Sequence, residues 1–175
     1  MPHGFTVDIA TSMPPDAGIQ FPGVDLSCSD MIPLLSARRL TGIPSAMAAA
    51  TVSYEAGPDD LWLAAEVLRT YADDGARRAM KDLRTFIGRC PTAAPPGQDG
   101  GYRFAAAPGP PLGDDSVHLR CGTTSGSGAL ICDSMLVRIG TALVVVQEEG
   151  NKPGGDRYLT QLTEAALRRY RTTGS

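Results

Sequence analysis

Two cysteines, Cys121 and Cys132, bracket the stretch CGTTSGSGALIC, and they restrict this chain more than any other feature. Strand-like runs flank them, SVHLRC (116–121) before and ALICDSMLVRI (129–139) after. With Gly126 and Ser127 at the centre of a two-residue type II′ turn, Ser125 pairs with Gly128, and counting outward sets Cys121 opposite Cys132. Residues facing each other across a ladder lie ~4.5–5.5 Å apart, within disulfide reach. A zinc site would want closer-spaced ligands and could add only His3 and His118. A redox pair would be spaced Cys-x-x-Cys. The reading is a stapled or staple-ready hairpin, with two buried thiols as the alternative and metal or redox chemistry behind both.

The same register pairs Arg120 with Asp133 and His118 with Met135 on one face, along with Ile131, Val137 and Ile139. Val117, Leu119, Cys121, Leu130, Cys132 and Leu136 take the other face. A carboxylate among apolar neighbours is pushed toward its neutral form unless Arg120 offsets the burial. With His118 two rungs from it on the facing strand, Asp133 makes a candidate acid/base set with His118. The plainer reading is a cross-strand Arg–Asp pair on a half-exposed face, worth under about 1 kcal/mol.

Elsewhere the pattern is mixed. Residues 1–27 carry four prolines and read as an irregular arm with a short strand at 5–9. One short helical turn falls within 29–44. From 61 to 68 apolar residues alternate as in a strand. Asp73 or Asp74 can cap a helix to Cys90, with Ala76, Ala79, Met80, Leu83, Phe86 and Ile87 on its buried stripe and Pro91 as its stop. Further strands are predicted at 102–107 and 141–147, with a bulge near Gly140. Asp156 can cap a last helix to Arg171, its stripe running through Tyr158, Leu159, Leu162, Ala165, Ala166 and Leu167. Strands and helices are grouped rather than alternating, which predicts an α+β fold with an antiparallel sheet. The expected organisation is the arm, 1–27, and one domain, 28–175.

The net charge of −3 argues against a nucleic-acid partner, which asks for excess Lys and Arg. No run approaches the ~20 apolar residues of a membrane span. The N-terminus has neither a basic nor an apolar signal region, so the chain as written reads as cytoplasmic, or as exported with its signal removed. Cys28 and Cys90 remain, and their pairing would tie the N-terminal region to the core. Two sensible pairs from four cysteines is an extracellular habit, at odds with the missing signal. No dinucleotide fingerprint, HExxH or Ser/His/Asp order is present, so neither a cofactor nor a metal is indicated. Ser125 and Ser127 read as turn residues, Asp114 and Asp115 as turn-formers, and Glu148 and Glu149 as solvated at a strand end. Trp62, Tyr54, Tyr71 and Tyr102 could line a concave sheet face.

Four stretches, LLSARRLTGIP, YADDGARRAMKDLRTFIGRCP, PLGDDSVHLR and MLVRIGTALVVVQEEG, follow one another in an order that resembles actinobacterial sensor domains. That family is typified by the extracellular domain of the mycobacterial Ser/Thr kinase PknH and includes related lipoproteins. The resemblance covers about residues 30–172 and rests on a helix ending in Cys-Pro, a Leu-Gly-Asp-acid-Ser segment, and a Val-Arg-x-Gly turn before a Val-rich strand. It implies a curved antiparallel sheet with helices on one side and a ligand cleft. It also implies export and two disulfides, one like Cys28–Cys90; the second would need Cys121 with Cys132, at a closer spacing than the family's.

Two functions fit. The first is a pocket protein that holds a small, largely apolar ligand, with Arg120, Met135, Trp62, Tyr54 and Tyr102 as ligand-binding residues. The second is a cofactor-free cyclase or isomerase of natural-product biosynthesis, closing a spiroacetal or ether ring on a polyketide, with Asp133 and His118 catalytic. In either case the partner is a small molecule; self-association into a homodimer stays open, as does an interaction module with no pocket.

Overall fold

The computed structural model describes residues 5–13, 27–30, 42, 44–55, 61–94, 97, 100–123, 132–150 and 155–173. Eight strands form one antiparallel sheet: β1 (Phe5–Met13), β2 (Ala46–Glu55), β3 (Leu61–Thr70), β4 (Thr92–Ala93), β5 (Tyr102–Pro108), β6 (Asp115–Thr123), β7 (Ser134–Ile139) and β8 (Ala142–Gly150). Their spatial order is β1-β2-β3-β8-β7-β6-β5-β4, and the sheet does not close. Helix α1 (Gly75–Arg89) carries the chain from β3 to the far edge, and β4 to β8 then meander back until β8 pairs with β3. Helix α2 (Gly155–Thr173) follows β8. The expected class, α+β with an antiparallel sheet, is what forms.

The helices divide between the two faces of the sheet, where the resemblance implies one side. Along β8, Leu143 and Val145 pack with the α1 residues Ala79, Met80, Leu83, Phe86 and Ile87. Val144 and Val146, which point the opposite way, pack with Leu159, Ala166 and Leu167 of α2. β7 splits likewise, Leu136 toward α1 and Met135 and Val137 toward α2. Burial on both faces explains why ALVVV is continuously apolar rather than alternating. Fully burying one such side chain stabilises the fold by ~1.5–3 kcal/mol.

The α1 stripe is buried as expected, though neither aspartate caps it. Asp74 holds the N-cap position without a side-chain cap bond and pairs with Arg78 instead, while Asp73 has a left-handed φ of 50°. On α2, Leu159, Ala166 and Leu167 are buried, whereas Tyr158 is 57% exposed and does not belong to the stripe.

The β7–β8 link corrects another expectation. Ile139 pairs with Ala142, so Gly140 and Thr141 make a two-residue turn in place of the expected bulge. Gly140 takes φ 56°, as the first position of a II′ turn requires. Its N–H donates to Asp114 Oδ2 at 2.7 Å, and Arg138 Nη1 donates to the same oxygen at 3.0 Å. Asp115 receives Arg84 through two bonds of 2.9 and 2.6 Å, fastening α1 to β6. Both aspartates thus serve structure.

The N-terminal arm holds a nine-residue strand, longer than the expected 5–9, and it pairs with β2 from Phe5↔Tyr54 to Met13↔Met47. Residues 28–30 are helical; most of the turn expected over 29–44 lies outside the described residues. No described helix is long and apolar enough to cross a membrane.

Candidate functional site

The β6–β7 ladder runs Asp115↔Arg138 to Leu119↔Ser134, with His118 opposite Met135, which is the register the sequence predicts. The Gly126–Ser127 turn itself lies outside the described residues. Two rungs beyond Leu119↔Ser134 the chains are tied by the Cys132 N–H donating to the Cys121 carbonyl at 3.2 Å. They are also tied by a disulfide, Cys121–Cys132, with Cα atoms 4.8 Å apart. A second disulfide joins Cys28 to Cys90 at 5.5 Å, so no cysteine is free. The thiol and metal alternatives therefore fall away for these four residues. Two disulfides that take up every cysteine belong to an oxidising compartment, and the cytoplasmic expectation gives way to an exported one.

Asp133 sits where the ladder ends. Its Oδ1 accepts the Cys121 N–H at 3.0 Å, in place of a cross-strand carbonyl. Its own carbonyl accepts the Glu148 N–H at 2.8 Å, so Asp133, just before β7, stands opposite Glu148 on β8. Its Oδ2 lies 3.6 Å from His118 Nε2. That nitrogen is buried with no hydrogen-bond partner, and His118 as a whole is 8% exposed. The separation is too long for a hydrogen bond.

Glu148 overturns its reading as a solvated strand end, being only 1% exposed. β8 runs on to Gly150 because the ten-residue β3 pairs with it as far as Trp62↔Gly150 and Ala64↔Glu148. The Trp62 indole N–H donates to Glu148 Oε2 at 3.0 Å. Trp62, Glu148, Asp133 and His118 thus gather on the α2 side of the sheet, next along the strands from Val146 and Met135 of the α2 core. Further along this face Glu66 pairs with Arg169 of α2. Burial pushes the Glu66 carboxyl above its ordinary range, outweighing Arg169, which pulls it down.

The other candidates part company. Met135 is fully buried beneath α2 and is a core side chain. Arg120 is exposed at the rim beside Asp133. Tyr54 stands opposite Trp62 in the β2–β3 ladder, its side chain outside the described residues. Tyr102 lies on the α1 side, stacked on Phe104 with ring centroids 6.1 Å apart. Tyr71 is buried in the α1 core, where desolvation raises its phenol pKa and the charge of Arg69 partly offsets that. Among the described residues, no group of three His, Cys, Asp or Glu is placed to hold a metal. Chemically the corner offers two carboxylates, an imidazole and an indole at the border of an apolar layer. It can accept hydrogen bonds, neutralise a cation or move a proton.

The chain matches no protein-family model and no curated protein. Its fold is similar to that of the extracellular domain of PknH from Mycobacterium tuberculosis, with a TM-score of 0.52 at 13% identity. That similarity covers 74% of this chain and 66% of the PknH domain, so the chain spans just under two thirds of it. An Rv0999 ortholog from Mycobacterium smegmatis is also similar, with a TM-score of 0.46 at 14% identity, over 95% of this chain and 89% of that one. The first of these similarities shows that the chain shares the fold of the PknH domain, as the sequence resemblance implies.

Proposed function

We propose that this chain is a ligand-binding, sensor-like domain of a secreted or surface-anchored protein, and that it holds a small, largely apolar molecule. The observation that carries the reading is the corner formed by Trp62, Glu148, Asp133 and His118. There a buried imidazole nitrogen without a partner stands beside two carboxylates, at the margin of an apolar layer. Buried polar groups are normally satisfied, and one that is not marks a place for a ligand or water. The cleft implied by the sensor-domain resemblance would open here. In this account residues 28–175 act as one unit, Trp62 and Tyr54 flank the ligand, and Arg120 guards the rim.

The test is a titration with the neutral apolar probe N-phenyl-1-naphthylamine, followed by quenching of Trp62, the chain's one tryptophan. Saturable 1:1 binding that His118→Ala weakens supports the reading. Linear, unsaturable uptake, unchanged in the variant, refutes it.

The His118–Asp133 approach of 3.6 Å favours one second reading, the cofactor-free cyclase or isomerase. There Asp133 would move the proton and His118 would tune it while the cleft folds a polyketide chain into a ring. Under that reading Asp133→Asn and His118→Ala abolish turnover; under the first they only shift affinity.

A further inference from the structure

His118 is held in the sheet from both sides, opposite Ala107 of β5 and Met135 of β7. Its side chain is more than nine-tenths buried, and its Nε2 is buried without a hydrogen-bond partner. Asp133 Oδ2 stands 3.6 Å from that nitrogen. A neutral imidazole with its hydrogen on Nδ1 turns the Nε2 lone pair toward the carboxylate, acceptor against acceptor. A protonated imidazole has an N–H there instead. Asp133 is the side able to adjust. It lies just before β7, and its Oδ1 is anchored by the Cys121 N–H at 3.0 Å. A small rotation about that anchor brings Oδ2 to the ~2.7–2.9 Å of a charge-assisted bond.

We infer that His118 and Asp133 form a proton-operated latch, open at neutral pH and closed in mild acid. The proton goes to Nε2 while Nδ1 keeps its own, and the Nε2–H then donates to Asp133 Oδ2. Histidine is the side chain that ordinarily makes this change between about pH 5 and 8. Among the described residues, the other charged groups on this side of the sheet are Arg103 of β5, Arg120 of β6, Glu148 of β8 and the Glu66–Arg169 pair. Glu148 is engaged by Trp62, and Arg120 has contacts of its own. From α2, the buried Leu159, Thr163, Ala166 and Leu167 carry no charge, and Glu164 pairs with Arg168. The described ion-pair partner of His118 is Asp133. Asp133 also gives its carbonyl to the Glu148 N–H and its Oδ1 to Cys121, beside the Cys121–Cys132 staple. Closing the latch therefore fastens β6, the entry to β7 and β8 at one point, and withdraws Nε2 and Oδ2 from any other partner. The bond exists only while the imidazole is charged. Its contribution to stability is thus present in mild acid and lost as pH rises through neutrality. The inference does not depend on what the corner binds.

The experiment follows urea unfolding of the full chain, both disulfides intact, at about pH 5.5 and about pH 7.5. It compares the unaltered chain with Asp133→Asn and His118→Gln. Asp133→Asn keeps the oxygen that the Cys121 N–H needs and removes only the charge. On acidification the midpoint of the unaltered chain should rise by about 0.5–1 M relative to both variants, the scale of one charge-assisted hydrogen bond. A second readout holds even where His118→Gln fails to fold. In proton NMR a slowly exchanging imidazole N–H of His118 should appear at the acid pH, and be missing at the neutral pH and from Asp133→Asn at both. His3, the chain's one other histidine, is present in every variant and serves as the reference. An equal acid response in the unaltered chain and in Asp133→Asn, or a folded chain without that resonance in acid, overturns the latch.

Discussion

Removing the two disulfides one at a time should cost unequal amounts, in an order the chain separations dictate. Cys28–Cys90 closes a loop of 62 residues and Cys121–Cys132 one of 11. In the chain-entropy account the long link withdraws about 4.3 kcal/mol of unfolded-state freedom and the short one about 2.8 kcal/mol. The difference of roughly 1.5 kcal/mol exceeds the error of a careful unfolding curve. Local structure points the same way. The short loop's ends are also held by the β6–β7 ladder and by the Asp133 bond to the Cys121 N–H. The long loop reaches residues 27–30, whose described hydrogen bonds run only among themselves. The variants are Cys28→Ala with Cys90→Ala, and Cys121→Ala with Cys132→Ala, unfolded in urea and followed by circular dichroism. With a slope of about 2 kcal/mol per molar, the midpoint falls by about 2 M for the first pair and about 1.5 M for the second. A larger loss on opening the short loop, at unchanged slope, would refute the entropic ordering and show that the hairpin staple holds native geometry instead.

Two further outcomes follow from the polar contacts. Asp115 is held below the ordinary carboxylate range by its hydrogen bonds with Arg84. The stability it contributes is therefore present above the unfolded value of about 4 and is lost as pH falls through the lower folded value. Arg84→Ala should cost at most about 1 kcal/mol at pH 7, because both side chains are partly exposed, and nothing near pH 2; urea curves at the two pH values check this. Trp62→Phe deprives the buried Glu148 carboxylate of a donor and should destabilise by about 1–3 kcal/mol, read from urea curves; a change below 0.5 kcal/mol (roughly the scatter for surface positions) would contradict the buried bond.

What could be read from the sequence was whatever depended on counting. The α1 stripe repeats at 3.6 residues, so Ala76, Ala79, Met80, Leu83, Phe86 and Ile87 were assigned correctly. A two-residue turn leaves one register, so His118 opposite Met135 followed directly. Neighbours rather than period decided the remainder. β2, AMAAATVSYE, carries little strand propensity and becomes a strand because β1 and β3 pair with it on both sides. Glu148 looks solvated in QEEG, and only the reach of β3 to Trp62 buries it. Met135 reads as a ligand contact in the sequence because nothing local announces that α2, starting twenty residues later, lands on it. Tyr102 shares its face with Phe104, and which face that is depends on the β5–β6 register, which no turn count sets.

The unequal margins of the open sheet bear on any shortened form of this protein. One margin is the nine-residue β1, whose pairing with β2 is broken by an irregularity between Ala10 and Met13; the other is the two-residue β4. Trimming the first thirteen residues would uncover β2 along its length, an uncharged run as far as Glu55 with free peptide groups. Such a truncate would be sticky toward its own copies. For production of this domain, the N-terminal segment is a guard against self-templated assembly, to be kept even where a tidier boundary would invite its removal.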